Sequence, residues 1–308
     1  MIAVVFLFLI FLPPAHSQER GTLLNKYETA ELSGDIKEAV KYLDTIIMNN
    51  PSDGMAYAYR SFAYFKLFNN QKAKEDMLKA LSFNPIVKDS LYIYGRIADS
   101  KKDYDKAIRL YHTAILFDKN FAEAYYRAGL TYGKKKDYKN AINSYNRSIE
   151  IDPKDEDKYY NRGNAYYRLN VIDSAVADYT KAIILKPEDS RPYYNRGYVN
   201  IEFRKYDSAI TDLTKAIEIR PDMVIAYMYR GLAYGKTGDY ENAFKDYDKA
   251  ISIFDGNSFI YVNRGDTYFD MGKYTEAITD WEKAMNLNST LQADMEKKIR
   301  EAKEKIKE

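Results

Sequence analysis

Apolar and polar residues follow two periods along this chain, one the turn of a helix and one a much longer repeat. Between 156 and 189, Tyr159, Gly163, Tyr166 and Tyr167 fall on one helical face, and Ala175, Val176, Tyr179, Ala182 and Ile183 fall on another. A short polar stretch separates the two sets, and Pro187, with no N–H to donate, stops the second. The pattern predicts two antiparallel amphipathic helices, with Gly163 and Ala175 at matching heights so that the backbones approach closely. It returns every 34 residues, in eight copies without insertion or deletion: 20–53, 54–87, 88–121, 122–155, 156–189, 190–223, 224–257 and 258–291. Position 20 of the repeat is alanine in every copy, from Ala39 to Ala277, and position 8 is glycine in the last six, from Gly95 to Gly265. Position 32 is proline in five copies, at Pro51, Pro85, Pro153, Pro187 and Pro221.

In the copy at 156–189, Tyr159, Gly163, Tyr166, Ala175, Tyr179, Ala182 and Pro187 fill all the slots of a known signature. The chain thus resembles the tetratricopeptide repeat family, over 272 of its 308 residues. The resemblance implies an all-α fold, an α-solenoid of helix-turn-helix repeats wound as a right-handed superhelix. Departures are local: Tyr27 stands in the glycine slot of the first copy, and the last two copies lack the terminal proline. One hairpin cannot bury its apolar face alone, so stability is expected to come from stacked neighbours and a polar cover at the end. Residues 292–308 are expected to supply that cover as a capping helix. Met295, Ile299, Ala302 and Ile306 form its apolar stripe, and Glu296–Arg300 and Glu301–Lys305 pair on its charged face.

A recurring NRG phrase places arginine at position 7, and this position covaries with position 23. The copies with arginine at 7 are those with aspartate at 23, giving Arg60 with Asp76, Arg162 with Asp178, Arg196 with Asp212, Arg230 with Asp246 and Arg264 with Asp280. The other three copies have neither, carrying Lys26 with Tyr42, Tyr94 with Leu110 and Ala128 with Ser144. Asp in one copy against Arg in the next agrees less well. The expectation is an ion pair inside each hairpin, structural rather than ligand-binding.

With those arginines assigned to structure, function is sought on another surface. In the family the first helices line a concave groove through positions 2, 5, 6, 9, 12 and 13. Carried onto this chain, these positions put Tyr92, Tyr126, Tyr160 and Tyr194 in a column, joined by Arg127, Asn161, Asn164, Tyr167, Arg168, Asn195 and Tyr198. Tyrosine offers contact area at little rotamer entropy, and asparagine can both donate to and accept from a peptide backbone. An extended peptide or protein segment is the expected ligand; the alternative is a glycan or cell-wall polymer stacked on the tyrosines. Roughly half of the tyrosines are expected to pack between repeats. Position 5 is tyrosine where the carboxylate-clamp members of the family carry lysine, so recognition of a C-terminal carboxylate is not supported.

Composition narrows the choice further. Lys+Arg 47 against Asp+Glu 45 leaves no global field for phosphate backbones, which argues against a nucleic-acid partner. With no cysteine there is no disulfide and no thiolate chemistry. Residues 1–12 form an apolar run too short to span a membrane as a helix, followed by Ala15 and Ser17 at a cleavage position. Residues 1–17 therefore read as a secretory signal without a basic start, so that the protein is exported, periplasmic or secreted. The alternative is an uncleaved N-terminal membrane anchor. Repeats and cap leave no room for an enzyme, and no catalytic, cofactor-binding or metal-ligating residue is expected. His112 stands alone on a second helix. Asp152, Asp155, Glu156 and Asp157 read as helix capping rather than a metal loop. Gly235-Lys236-Thr237, placed at an inter-helix turn, lacks the glycine that a phosphate loop needs five residues before Gly235, where Arg230 stands.

Overall fold

A computed structural model describes residues 14–307, with side chains from 18 onward. The apolar run on which the export expectation rests lies outside the described residues. Among the described residues the fold is all-α and divides into two compact units, the division falling after Pro153. The first unit holds α1 (Pro14–Leu32), α2 (Ile36–Asn49), α3 (Gly54–Lys66), α4 (Asn70–Phe83), α5 (Val87–Ser100), α6 (Tyr104–Phe117), α7 (Ala122–Lys134) and α8 (Tyr138–Ile151). The second holds α9 (Glu156–Arg168), α10 (Ile172–Leu185), α11 (Ser190–Glu202), α12 (Tyr206–Ile219), α13 (Val224–Thr237), α14 (Tyr240–Ile253), α15 (Ser258–Asp270) and α16 (Tyr274–Leu287). A 3₁₀ turn at Ser289–Leu291 then leads into α17 (Gln292–Lys307).

Each hairpin closes through one turn design. Position 15 takes the left-handed conformation in every copy, at Gly34, Phe68, Lys102, Lys136, Asn170, Arg204, Gly238 and Gly272. The next N–H then reaches back to the carbonyl at position 11, as in Asp35 to Ala30 at 2.9 Å and Lys205 to Asn200 at 2.8 Å. Aspartate or asparagine at position 16 caps the second helix in most copies; Asp35 and Asp239 accept from the N–H three residues on. The second helices end in an extended residue, so the proline at position 32 follows the stop.

The alanine at position 20 is buried in every copy, at the centre of the hairpin. The glycine at position 8 has a different role from the expected Gly163–Ala175 contact. A Cβ on Gly163 would sit 2.9 Å from the Tyr179 ring, and one on Gly95 or Gly129 would sit 2.6 Å from Tyr111 or Tyr145. Glycine therefore makes room for the side chain at position 24, which is aromatic in five of the six copies with this glycine and Leu213 in the other. The first two copies, with Tyr27 and Ser61 in that slot, carry the slimmer Leu43 and Met77 opposite. Backbone approach is a secondary effect, seen where the Ala243 and Ala277 carbonyls lie 3.1 and 3.2 Å from such a Cβ on Gly231 and Gly265.

At the end of the second unit α17 buries Met295, Ile299 and Ala302 against Ala277 and Trp281. The apolar stripe stops there, since Ile306 is exposed. Lys298 pins the helix to Asp266 at 2.6 Å, and Glu296 accepts a hydrogen bond from Gln292 at 2.9 Å.

Candidate interaction surface

The position-7 arginines are engaged within the fold, which decides which residues remain for a ligand. Nε and Nη2 of Arg196 donate to the two carboxylate oxygens of Asp212 at 2.9 and 2.6 Å. Arg60–Asp76, Arg162–Asp178, Arg230–Asp246 and Arg264–Asp280 repeat this two-pronged geometry at 2.7 to 2.9 Å. The aspartates are buried. Hydrogen bonds donated to these carboxylates raise Arg196 and Arg264 above the usual guanidinium range, so their charge is secure. The rings at positions 4 and 11 flank the guanidinium: Tyr57 and Tyr64 lie 5.3 and 5.8 Å from Arg60.

The arginine also has a third arm, which the expectation of a same-hairpin pair omits. Nη1 reaches position 25 of the preceding copy: Arg60 to Asp44 at 2.6 Å, Arg196 to Thr180 at 2.8 Å, Arg230 to Thr214 at 3.0 Å and Arg264 to Asp248 at 2.9 Å. The ion pair is thus also a seam between copies. A trace of this lies in the sequence, because Leu78 and His112 occupy position 25 ahead of the two internal copies without arginine. Comparing position 7 only with position 23 misses it.

In the first unit the groove positions give a small polar cluster. The Tyr92 hydroxyl donates to Glu123 at 3.1 Å, and Arg127 Nε donates to the same oxygen at 2.9 Å. Burial, then the nearby Glu123 charge, pushes the Tyr92 hydroxyl up in pKa. Tyr126 is buried, its ring 6.0 Å from that of Tyr145. Of the groove tyrosines named from the sequence it is the most fully buried, while Tyr92, Tyr160 and Tyr194 pack partly against the cores.

The second unit brings more of the expected residues together. Asn195 Nδ2 donates to Asn164 at 2.7 Å, and the same Asn164 oxygen accepts from the Tyr179 hydroxyl at 2.9 Å. Asn195 also approaches the Tyr160 hydroxyl at 3.4 Å, while the Arg191 guanidinium lies 4.8 Å from the Tyr160 ring. The Tyr167 and Tyr198 rings meet edge to face at 6.0 Å, and both hydroxyls donate to Glu202 at 3.0 Å. Asn161 bonds back to the Asp157 carbonyl at 2.7 Å. Arg168 is exposed. Tyr194 packs toward Tyr229, which also meets Tyr198 at 4.9 Å, and burial pushes the Tyr229 hydroxyl up to about 12. Arg191, Glu202 and Tyr229 join this surface without having been picked out from the sequence, although they occupy groove positions 2, 13 and 6. The result is a half-buried patch of tyrosine faces and amides, with the Glu202 carboxylate and the Arg191 guanidinium, itself tied to Asp157 and Asp189, beside it.

The remaining motifs are structural. Asp155 caps α9 by accepting from the Asp157 N–H at 3.0 Å, while Glu156 pairs with Lys186 and Asp157 with Arg191, each at 2.7 Å. No cluster able to hold a metal ion occurs among the described residues. Gly235-Lys236-Thr237 lies on the last turn of α13 rather than in the inter-helix turn, with Gly235 against Thr267 and Lys236 paired to Asp270 at 2.8 Å. His112 shares a hydrogen bond with Tyr132 at 3.0 Å. No described helix is long and apolar enough to cross a membrane.

The repeat geometry has counterparts among known proteins. A TPR repeat model matches residues 95–136, 134–170, 163–202 and 205–238. Tetratricopeptide repeat models match 56–86, 224–257 and 258–291, the last two coinciding with whole copies. The solved structure of the MamA protein is 28% identical, with a TM-score of 0.53, covering 55% of this chain and 92% of that one. A tetratricopeptide repeat protein from Parabacteroides merdae shares the fold at 18% identity and a TM-score of 0.51, covering 92% of this chain and 99% of its own. YrrB, whose structure is titled a TPR protein with an unusual peptide-binding site, shares the fold at 23% identity and a TM-score of 0.53, covering 60% of this chain and 95% of its own. The Hsp70-Hsp90 organizing protein 1 of Glycine max is 31% identical over 86 residues, 28% of this chain and 15% of that protein. This chain therefore matches only a small part of that curated relative. On its repeats, its hairpin geometry and these matches, the chain belongs to the tetratricopeptide repeat family.

Proposed function

We propose that the protein is a non-catalytic scaffold holding an extended segment of another protein against the first helices of its second unit. The observation that carries this is the convergence of Tyr160, Asn164, Tyr167, Asn195 and Tyr198 on one patch, which Glu202 and the Asp-paired Arg191 flank. Amides and phenols there can satisfy a peptide backbone while the rings supply apolar area. The organizing role named for the soybean relative and the peptide site named for YrrB point the same way. The test is recovery of partners from the native extract with the unaltered protein and with Tyr167→Ala plus Tyr198→Ala, helicity being checked by circular dichroism. Loss of bound protein in the double variant is expected. Undiminished recovery would overturn the assignment, and recovery of polysaccharide in place of protein would favour the glycan reading.

The proposal also places the scaffold in an exported compartment, on the strength of the apolar run before Ala15 and Ser17. N-terminal sequencing of the protein isolated from its source is expected to begin at Gln18. A chain still beginning at residue 1 would indicate an anchor instead.

A further inference from the structure

One seam in the first unit departs from the repeat rule. Elsewhere within the units the second helix of a copy packs on the first helix of the next, as α2 does on α3, α6 on α7, and α12 on α13. Between the copies at 54–87 and 88–121 this packing is at most slight, and α3, which keeps the usual contact with the next first helix α5, also meets α6. Side-chain exposure records the same break. Position 10, which faces the preceding copy, is 1% exposed at Ala63 and Thr131, 2% at Val199, 0% at Ala233 and 4% at Thr267. Its counterpart Ile97 is 44% exposed, and Leu78 across the seam is 57% exposed. The third copy therefore presents its first helix as if no copy preceded it.

The helix α6 of that third copy is used elsewhere. Lys106 pairs with Glu28 at 2.6 Å, and Arg109 Nε lies 2.8 Å from Glu31 Oε2, both partners being on α1 two copies away. Lys66 at the end of α3 closes on the other Glu31 oxygen at 2.7 Å. The Glu31 side chain is 1% exposed, so the charge is enclosed by its own chain. Glu28, Glu31 and Lys66 occupy positions 9, 12 and 13 of their copies, the ligand-facing set. Ion pairs of the second unit such as Arg191–Asp157 and Lys236–Asp270 join adjacent copies only.

We propose that the third copy is a built-in occupant of the ligand face of the first two, held by Lys106 and Arg109 on the α1 carboxylates at the expense of the apolar seam beside Leu78 and Ile97. The two arrangements compete. Burying the seam in the regular register removes apolar surface from water, and it requires α6 to give up Glu28 and Glu31. Release then exposes an acidic face with Lys66 at its margin, suited to a basic segment. The inference rests on the same reading of first-helix positions as the proposed function, but it concerns the other unit and its test needs no partner.

The chain has no cysteine, so introduced pairs report singly. Glu28→Cys with Lys106→Cys tests the occupied form. Met77→Cys with Ile97→Cys tests the regular seam, since their counterparts Tyr247 and Thr267 touch at 3.1 Å between copies in the second unit. With a short bismaleimide, the first pair is expected to cross-link at least about tenfold faster than the second. Adding Arg109→Glu, which sets like charges beside Glu31, should reverse the order. Arg109→Gln, which removes the charge without adding repulsion, should move the ratio the same way by a smaller factor. Faster linkage of Met77→Cys with Ile97→Cys in the otherwise unaltered chain would overturn the proposal. So would an order that neither Arg109 variant changes.

Discussion

A guanidinium at position 7 has five N–H groups to satisfy and little water to help it, which explains why its partners come as a set. Asp212 takes two N–H groups of Arg196 and Thr180 a third, while buried carboxylate and cation offset each other's desolvation. Removing one partner leaves the other charge enclosed, so Asp212→Ala is expected to lower stability by about 3 kcal/mol, read from the urea midpoint. Arg196→Asp with Asp212→Arg should recover part of that loss, and no recovery would deny the coupling. His112 offers a pH-dependent counterpart. Burial first, then the Lys66 charge, holds its folded pKa below the usual 6.5. Below pH 6.5 the unfolded chain binds a proton that the folded chain refuses, so stability should fall as pH drops from 6.5 towards the lower folded value. His112→Asn is expected to flatten that slope between pH 7.5 and 5.5 in urea titrations.

The hairpin is the element from which everything else is built, and its turn and its crossing have separate requirements. Position 15 needs a positive φ, which Gly34, Gly238 and Gly272 adopt freely and Phe68, at φ 57, does not. Phe68→Gly is therefore expected to stabilise the first unit by about 1 kcal/mol in thermal unfolding, the more so because the Phe68 side chain is solvent-exposed. The crossing needs the opposite economy of space. Gly163→Ala would press a methyl to 2.9 Å from the Tyr179 ring and cost about 1–3 kcal/mol by the same measurement. Helix positions, the repeat register and the ion pair inside the hairpin were all legible from spacing, since each depends on residues within one copy. The glycine's true neighbour was not. Matching heights suggested Ala175, but the long Tyr179 side chain leans along its helix and reaches Gly163 first.

For each unit taken whole, the issue is what its ends and seams do with apolar surface. The second unit ends under α17, and the chain's one tryptophan, Trp281, is 2% exposed beneath it with Nε1 bonded to Asp266 at 2.9 Å. Deleting residues 292–308 is expected to red-shift the Trp281 emission and lower the unfolding temperature; an unchanged spectrum would show that α17 does not shield the ring. The candidate surface of this unit was partly legible. The repeat register put Tyr160, Asn164, Tyr167, Asn195 and Tyr198 on a common face, whereas the partnership with Glu202, Arg191 and Tyr229 depended on side-chain reach between copies.

The sequence by itself determined the all-α hairpin, its 34-residue period and the pairing of positions 7 and 23, because helical periodicity, proline stops and same-hairpin contacts are set by distance along the chain. Only the tertiary structure decided which neighbouring copies stack. Arg109 and Glu31 are two copies apart, yet their pairing accompanies an open seam between α4 and α5. Repeats built on one register carry the same local instructions. The balance between burying Ile97 and pairing Glu31 is settled by contacts that no single repeat contains.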